Sequence, residues 1–124
     1  MSDRPVLEPS PSHPITVEPT GRHVTVRVAG EVVAETDHAL TLQESTYPPV
    51  QYVPRSDVIA DRLRPSDTET YCPFKGEASY YDVVTEGGAT VEDAVWTYEK
   101  PYPAVGGIAG HVAFYPDKAD VVVA

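Results

Sequence analysis

The densest group of chemically reactive side chains lies in residues 71–81, which read YCPFKGEASYY. They include the only cysteine of the chain, Cys72, and an isolated lysine, Lys75. Pro73 lacks a backbone donor and Gly76 reaches backbone angles closed to other residues, so this pattern predicts a tight turn around Lys75. A lysine held on a rigid turn beside aromatic rings loses hydration and can act as a nucleophile, a base or an anion clamp. The alternative interpretation is a solvated turn residue.

Cys72 also allows two interpretations. A single cysteine is most often a small buried hydrophobic residue, whereas a nucleophilic thiolate needs a histidine or another cation nearby. Lys75 is close in sequence, and His38 and His111 are candidates from elsewhere in the chain. We favour a buried structural cysteine. With one cysteine the chain forms neither an intrachain disulfide nor a zinc finger.

A second candidate group is the carboxylate of Glu44. Leu40 and Leu42 share one face of a predicted strand at residues 38–44, and the two-residue period continues that face to Glu44. A buried carboxylate is costly without a partner, so an inward Glu44 requires a cation, and Arg55 and Lys75 are the candidates. The alternative places Glu44 beyond the end of the strand, in water.

The elements that must position these groups are short strands separated by turn residues, which is typical of an all-β sandwich or barrel. We predict a single small antiparallel β-barrel or sandwich with one or two short helical turns, near residues 57–60 and Ile108. Residues 1–20 are rich in proline and predict an extended, mobile arm that cannot pair as a strand, and residues 21–124 predict one β domain. The predicted strands are residues 22–28, 32–35, 38–44, 50–53, 77–84, 90–98, 111–115 and 121–123.

Composition limits the classes of function. The chain has 124 residues and a net charge of −10, with 19 acidic and 9 basic residues. Such a surface repels phosphate backbones and anionic lipids, so nucleic acid and membrane partners are disfavoured. No apolar run is long enough to span a membrane, no apolar signal core is present, and one cysteine fits a reducing cytoplasm, so a cytoplasmic location is predicted.

No metal or cofactor site is predicted. The four histidines, His13, His23, His38 and His111, are scattered and have no ligand spacing with Cys72. None of the common phosphate, dinucleotide, calcium, zinc-protease or hydrolase motifs occurs.

The stretch from Tyr71 to Tyr80 resembles the signature of a bacterial and fungal family, domain-of-unknown-function family four-two-seven, which is also called nucleotidyltransferase-like. The likeness covers roughly Arg22 to the C-terminus and implies a small, mostly antiparallel β-structure of the Mss4-like type. With this resemblance we favour the inward position of Glu44. The family often has tyrosine where this chain has His111. Further matching blocks are Glu44, residues 47–55, Val95-Trp96, Tyr98 and residues 108–115.

Two functions are predicted. In the first, a small-molecule-binding protein or enzyme has a pocket on the Tyr-Cys-Pro-Phe-Lys-Gly motif, where Glu44 is a general acid or base, Lys75 holds or polarises an anionic group and the Tyr80 hydroxyl positions the substrate. In the second, a protein-interaction module without catalysis uses the same residues as a structural ion and hydrogen-bond network. The predicted ligand-binding residues are Tyr52, Arg55, Tyr71, Cys72 and Trp96.

Overall fold

Two antiparallel β-sheets face each other in the computed structural model, which describes residues 5–124. One sheet has seven strands in the order β1-β4-β5-β9-β8-β7-β6, and the other has three in the order β10-β2-β3. The strands are β1 (Ile15–Pro19), β2 (Val24–Val28), β3 (Glu31–Thr36), β4 (Leu40–Glu44), β5 (Val50–Pro54), β6 (Leu63–Cys72), β7 (Gly76–Val84), β8 (Thr90–Thr97), β9 (His111–Phe114) and β10 (Asp120–Val123).

The predicted fold class is confirmed. Most of the described chain is strand, and the helical part consists of short 3-10 turns at Arg55–Asp57, Ala60–Arg62 and Pro103–Ile108. Neither sheet closes on itself within residues 5–124, because β1 and β6 are free edges of the larger sheet. The architecture is therefore the sandwich rather than the closed barrel. No helix in this part of the chain has the length and apolar character needed to cross a membrane.

Alternation of side chains along the strands divides the core into two clusters. On β5 and β9, Val53 and Val112 belong to one cluster, while their neighbours Tyr52 and Ala113 belong to the other. Since successive side chains point to opposite faces of a sheet, the two clusters lie on opposite faces of the larger sheet. The first includes the valines of β2, so it fills the space between the sheets. The second lies on the outer face and carries the candidate site.

Prolines flank the strand β5, a pattern typical of an edge strand. It lies inside the sheet, between β4 and β9, so it is not an edge strand. Its pairing with β9 is nevertheless limited to Val53 with Val112 and Pro54 with His111. The first half of β5 therefore pairs with β4 alone and borders a gap in the sheet.

The predicted boundary of the domain differs from the structure at one point. Residues 15–19 were expected to be part of an unpaired arm, but they form β1, which pairs with β4 from Ile15 opposite Glu44 to Pro19 opposite Leu40. The side chains of Ile15 and Val17 pack against the outer cluster, which explains why a proline-bounded segment is held as a strand. Residues 1–4 of the predicted arm lie outside the described residues.

Removing β1 should destabilise the domain. A chain that starts at residue 20 loses the strand pairing and the partly buried Ile15 and Val17, and burying one such side chain contributes about 1.5–3 kcal/mol. We expect its free energy of unfolding in urea to be at least about 2 kcal/mol lower than that of a chain that starts at residue 5. Equal stability of the two truncated chains would show that the domain begins after β1.

Candidate functional site

The turn that carries Lys75 joins β6 to β7. The Lys75 amide donates to the Cys72 carbonyl at 3.2 Å, and Gly76 follows with a φ of +112°, a conformation that side chains rarely adopt. A Cβ atom at Gly76 would lie 3.4 Å from the Lys100 carbonyl oxygen, so the backbone there is also closely approached. The predicted tight turn is therefore present, and it fixes the point from which the Lys75 side chain starts.

Lys75 and Glu44 form a buried ion pair. The Lys75 Nζ donates to the Glu44 Oε1 at 2.5 Å, and Lys75 is only 8% exposed. The second carboxylate oxygen accepts a hydrogen bond from the Nε2 of His13 at 2.8 Å. Of the two predicted cations for Glu44, the structure thus selects Lys75. It adds His13, whose ring stacks on Phe74 with the centroids 4.3 Å apart.

The ionised form of Glu44 is favoured by these contacts. Burial by itself would raise the pKa of Glu44, but the hydrogen bonds from Lys75 and His13 and the nearby charges outweigh it and lower the pKa below its ordinary value of 4.5. Glu44 is therefore a carboxylate at neutral pH, and both of its oxygens are already engaged.

A cavity of about 180 Å³ lies beside this ion pair, on the outer face of the larger sheet. Five of the eight predicted site residues line it: Glu44, Lys75, Tyr80, Tyr52 and Trp96. The walls are mainly aromatic, with Trp96 and Tyr115 rings 4.5 Å apart between centroids. The remaining lining residues are Leu42, Tyr47, Pro48, Val50, Tyr98 and Tyr115.

Tyrosine hydroxyls supply most of the polar groups of the cavity. Trp96 Nε1 donates to the Tyr52 hydroxyl at 3.1 Å, which leaves the Tyr52 proton for another acceptor. The Tyr115 hydroxyl donates to that of Tyr80 at 3.3 Å, and Tyr80 also bonds to Thr70 at 2.9 Å. Burial raises the pKa of Tyr52 to about 12, so this phenol is a neutral donor at physiological pH.

Tyr98 is one of the six wall residues that were not predicted as site residues. It is 8% exposed, and its hydroxyl has no hydrogen-bond partner within residues 5–124. Burial, followed by the charges of Tyr52 and Cys72, raises the pKa of Tyr98. A sequence signal did exist, because Tyr98 lies two positions after Trp96 and shares its strand face in an ideal strand.

Three predicted site residues do not line the cavity. The Arg55 guanidinium lies 4.8 Å from the centre of the Tyr81 ring, which belongs to the cluster between the sheets. The Tyr71 hydroxyl donates to the Pro5 carbonyl at 2.6 Å. Cys72 is partly buried, with its Sγ 3.9 Å from the Lys75 Nζ, but it supports the ion pair rather than forming a wall.

The site combines several hydrogen-bond donors with an ion pair whose two charges balance each other. Lys75, Tyr52 and Tyr98 line the cavity and each has a proton left to donate, whereas each Glu44 oxygen already accepts one hydrogen bond. Among residues 5–124 no group of three or more His, Cys, Asp or Glu side chains could hold a metal ion. The arrangement is therefore suited to holding an acceptor group.

Replacing Glu44 by glutamine should destabilise the fold in a pH-dependent way. Breaking a buried ion pair costs about 3–5 kcal/mol, and partial exposure reduces this, so we expect a loss of about 1–3 kcal/mol at pH 7 in urea unfolding. Because the folded pKa is depressed, this stability is fully present above the ordinary value of 4.5 and is lost as the pH falls through the folded pKa. The difference in unfolding free energy between the unchanged protein and Glu44→Gln should therefore shrink only below the ordinary pKa of Glu44.

Glu99→Gln is the matched control, since Glu99 is exposed and has no ion pair within the described residues. Glu99→Gln should leave the free energy of unfolding unchanged at pH 7 and in acid. A Glu44→Gln protein as stable as the control at pH 7 would contradict the structural role of the ion pair.

Comparison with known proteins agrees with the resemblance found in residues 71–80. No curated protein matches the chain. A family model described as "Domain of unknown function (DUF427)" matches residues 16–124, which include nine of the ten strands in full and all but the first residue of β1. His13 lies before the matched region, whereas Glu44 and Lys75 lie within it. The chain thus belongs to the DUF427 family.

Proposed function

We propose that this protein binds a small molecule in the aromatic cavity and holds an acceptor oxygen of that molecule with Lys75 and the tyrosine hydroxyls. The observation that carries the proposal is Tyr98, a buried residue of the cavity wall shared with Glu44 and Lys75, whose hydroxyl makes no hydrogen bond within residues 5–124. This hydroxyl is therefore a donor not used within the described chain, and an acceptor group of a ligand in the cavity could bond to it.

The size of the cavity limits the part of the ligand that it can hold. A dry cavity of about 150 Å³ accommodates benzene, so a cavity of about 180 Å³ suits a group of similar or slightly larger size. The Trp96 and Tyr115 rings provide flat apolar walls, which favour a planar or aliphatic group over a strongly hydrated one.

Electrostatics favours an uncharged acceptor. The Lys75 charge is already balanced by Glu44, and the chain has a net charge of −10, so an anion gains little inside the cavity and is repelled outside it. A carbonyl-type oxygen can still accept hydrogen bonds from the Lys75 ammonium, which has three protons, and from Tyr98. We therefore favour a neutral carbonyl compound over the anionic group predicted from the sequence.

Binding requires less of this site than catalysis does. Each Glu44 oxygen already accepts one hydrogen bond, and the lowered pKa of Glu44 makes it a weaker base, while the Tyr80 hydroxyl is bonded to Thr70 and Tyr115. The enzymatic roles of Glu44, Lys75 and Tyr80 stay predictions, as do the Mss4-like fold and the cytoplasmic location.

The second candidate function is the interaction module in which these residues form a structural network. The hydrogen bonds that Glu44 accepts from Lys75 and His13 favour this function, because such a network stabilises the fold without any ligand. The cavity and the unused Tyr98 donor favour the binding function, since a purely structural network needs neither.

A thermal-shift screen of neutral carbonyl compounds should separate the two functions. We expect hits whose affinity falls about three- to tenfold in Tyr98→Phe, because that change removes one donor and little volume. Tyr81→Phe is the matched control: Tyr81 is 7% exposed but lies in the other core cluster, so affinity should not change.

Lys75→Ala and Glu44→Gln complete the test. Hits that are lost in both variants, while each variant remains folded by circular dichroism, would support one shared site. The absence of any hit, together with strong destabilisation of both variants, would overturn the binding function in favour of the structural network.

A further inference from the structure

A second concave surface borders the cavity and is almost entirely apolar. It has a volume of about 520 Å³ and will be called the apolar groove. Of its described lining residues none carries a charge, although the chain as a whole is strongly acidic. It is lined by Tyr47, Pro48, Pro49, Val50, Gln51, Trp96, Phe114, Pro116, Val121 and Val123.

The one amide in the apolar groove does not make it polar. The Gln51 Nε2 donates to the Thr41 hydroxyl at 3.1 Å, and its Oε1 accepts from the Thr20 hydroxyl at 2.6 Å. The side-chain amide of Gln51 is thus already paired within the protein. What the groove offers a ligand is hydrocarbon and aromatic surface, whose burial is favourable in proportion to its area.

The cavity and the apolar groove share walls. Tyr47, Pro48, Val50 and Trp96 line both of them. The shared region coincides with the gap in the larger sheet, where β5 and β9 pair only at Val53–Val112 and Pro54–His111. The polar cavity and the apolar groove are therefore two neighbouring parts of one surface, with the indole of Trp96 between them.

We propose that the ligand is a neutral amphiphile whose carbonyl head lies in the cavity and whose hydrocarbon chain lies in the apolar groove. This inference rests on the proposed binding function and adds the class of the ligand. The donors of Lys75 and Tyr98 receive the head, and the uncharged walls around Trp96 and Val123 receive the chain. Two adjacent sites of opposite character fit a molecule with a polar end and an apolar end.

The test is a titration with methyl ketones of increasing length, from butan-2-one to decan-2-one, by calorimetry and by fluorescence. Trp96 is the only tryptophan, so its fluorescence reports on the wall shared by the two sites. We expect affinity to rise about three- to fourfold for each added methylene until the apolar groove is filled. Alkanoates of the same length should bind at least about tenfold more weakly, because Glu44 and the acidic surface repel a carboxylate.

Two neighbouring residues of β10 provide matched variants. Val123 lines the apolar groove and is 39% exposed, whereas Val122 is 52% exposed and does not line it. Because both are exposed, aspartate at either position should leave the fold intact. Val123→Asp should remove the dependence of affinity on chain length, and Val122→Asp should retain it.

The outcomes separate this inference from the binding function. Affinity that does not change with chain length overturns the amphiphile, whether or not butan-2-one binds. The binding function fails on a separate result, in which the carbonyl screen gives no hit and Lys75→Ala and Glu44→Gln are both strongly destabilised. A ligand-free dimer that Val123→Asp converts to a monomer would assign the apolar groove to a second copy of the chain and would also overturn the amphiphile.

Discussion

The ion pair between Lys75 and Glu44 is the interaction on which the candidate site depends. Both groups are largely buried, so removing either one leaves an unpaired buried charge. Glu44 lies at the end of β4, and Lys75 lies in the turn between β6 and β7 of the same sheet. Their requirement for each other fixes the position of the β6–β7 turn relative to the end of β4. The cavity exists beside this contact because aromatic side chains surround the pair without filling the adjoining space.

The site combines rigidity with unused donors. His13 donates a hydrogen bond to the second oxygen of Glu44 and stacks on Phe74. The segment before β1 therefore contacts both β4 and the turn between β6 and β7. Tyr98 and Tyr52 are buried phenols with raised pKa values, and they remain protonated donors at physiological pH. A protein that needed only stability could have filled the cavity with aliphatic side chains, which is why the donors favour a binding function.

The sequence predicted the parts of the fold that depend on local pattern. The alternation in β2 and the turn around Lys75 follow from periods and turn residues within a few positions, whereas for Glu44 the residues left two positions open and the family resemblance favoured the inward one. The choice of Lys75 over Arg55 could not follow, because it depends on which strands meet in space. The pairing of β1 was missed because a proline-rich segment carries no strand signal. The contact of His13 with Glu44 was missed because the two residues lie 31 positions apart in the sequence.

The most direct test of the central claim is a crystal structure of the protein soaked with a neutral carbonyl ligand identified in solution. The account predicts an acceptor oxygen within about 3.2 Å of the Lys75 Nζ or the Tyr98 hydroxyl, with the Lys75–Glu44 contact intact. A ligand bound elsewhere, or a cavity closed by side chains with Glu44 turned into solvent, would contradict it.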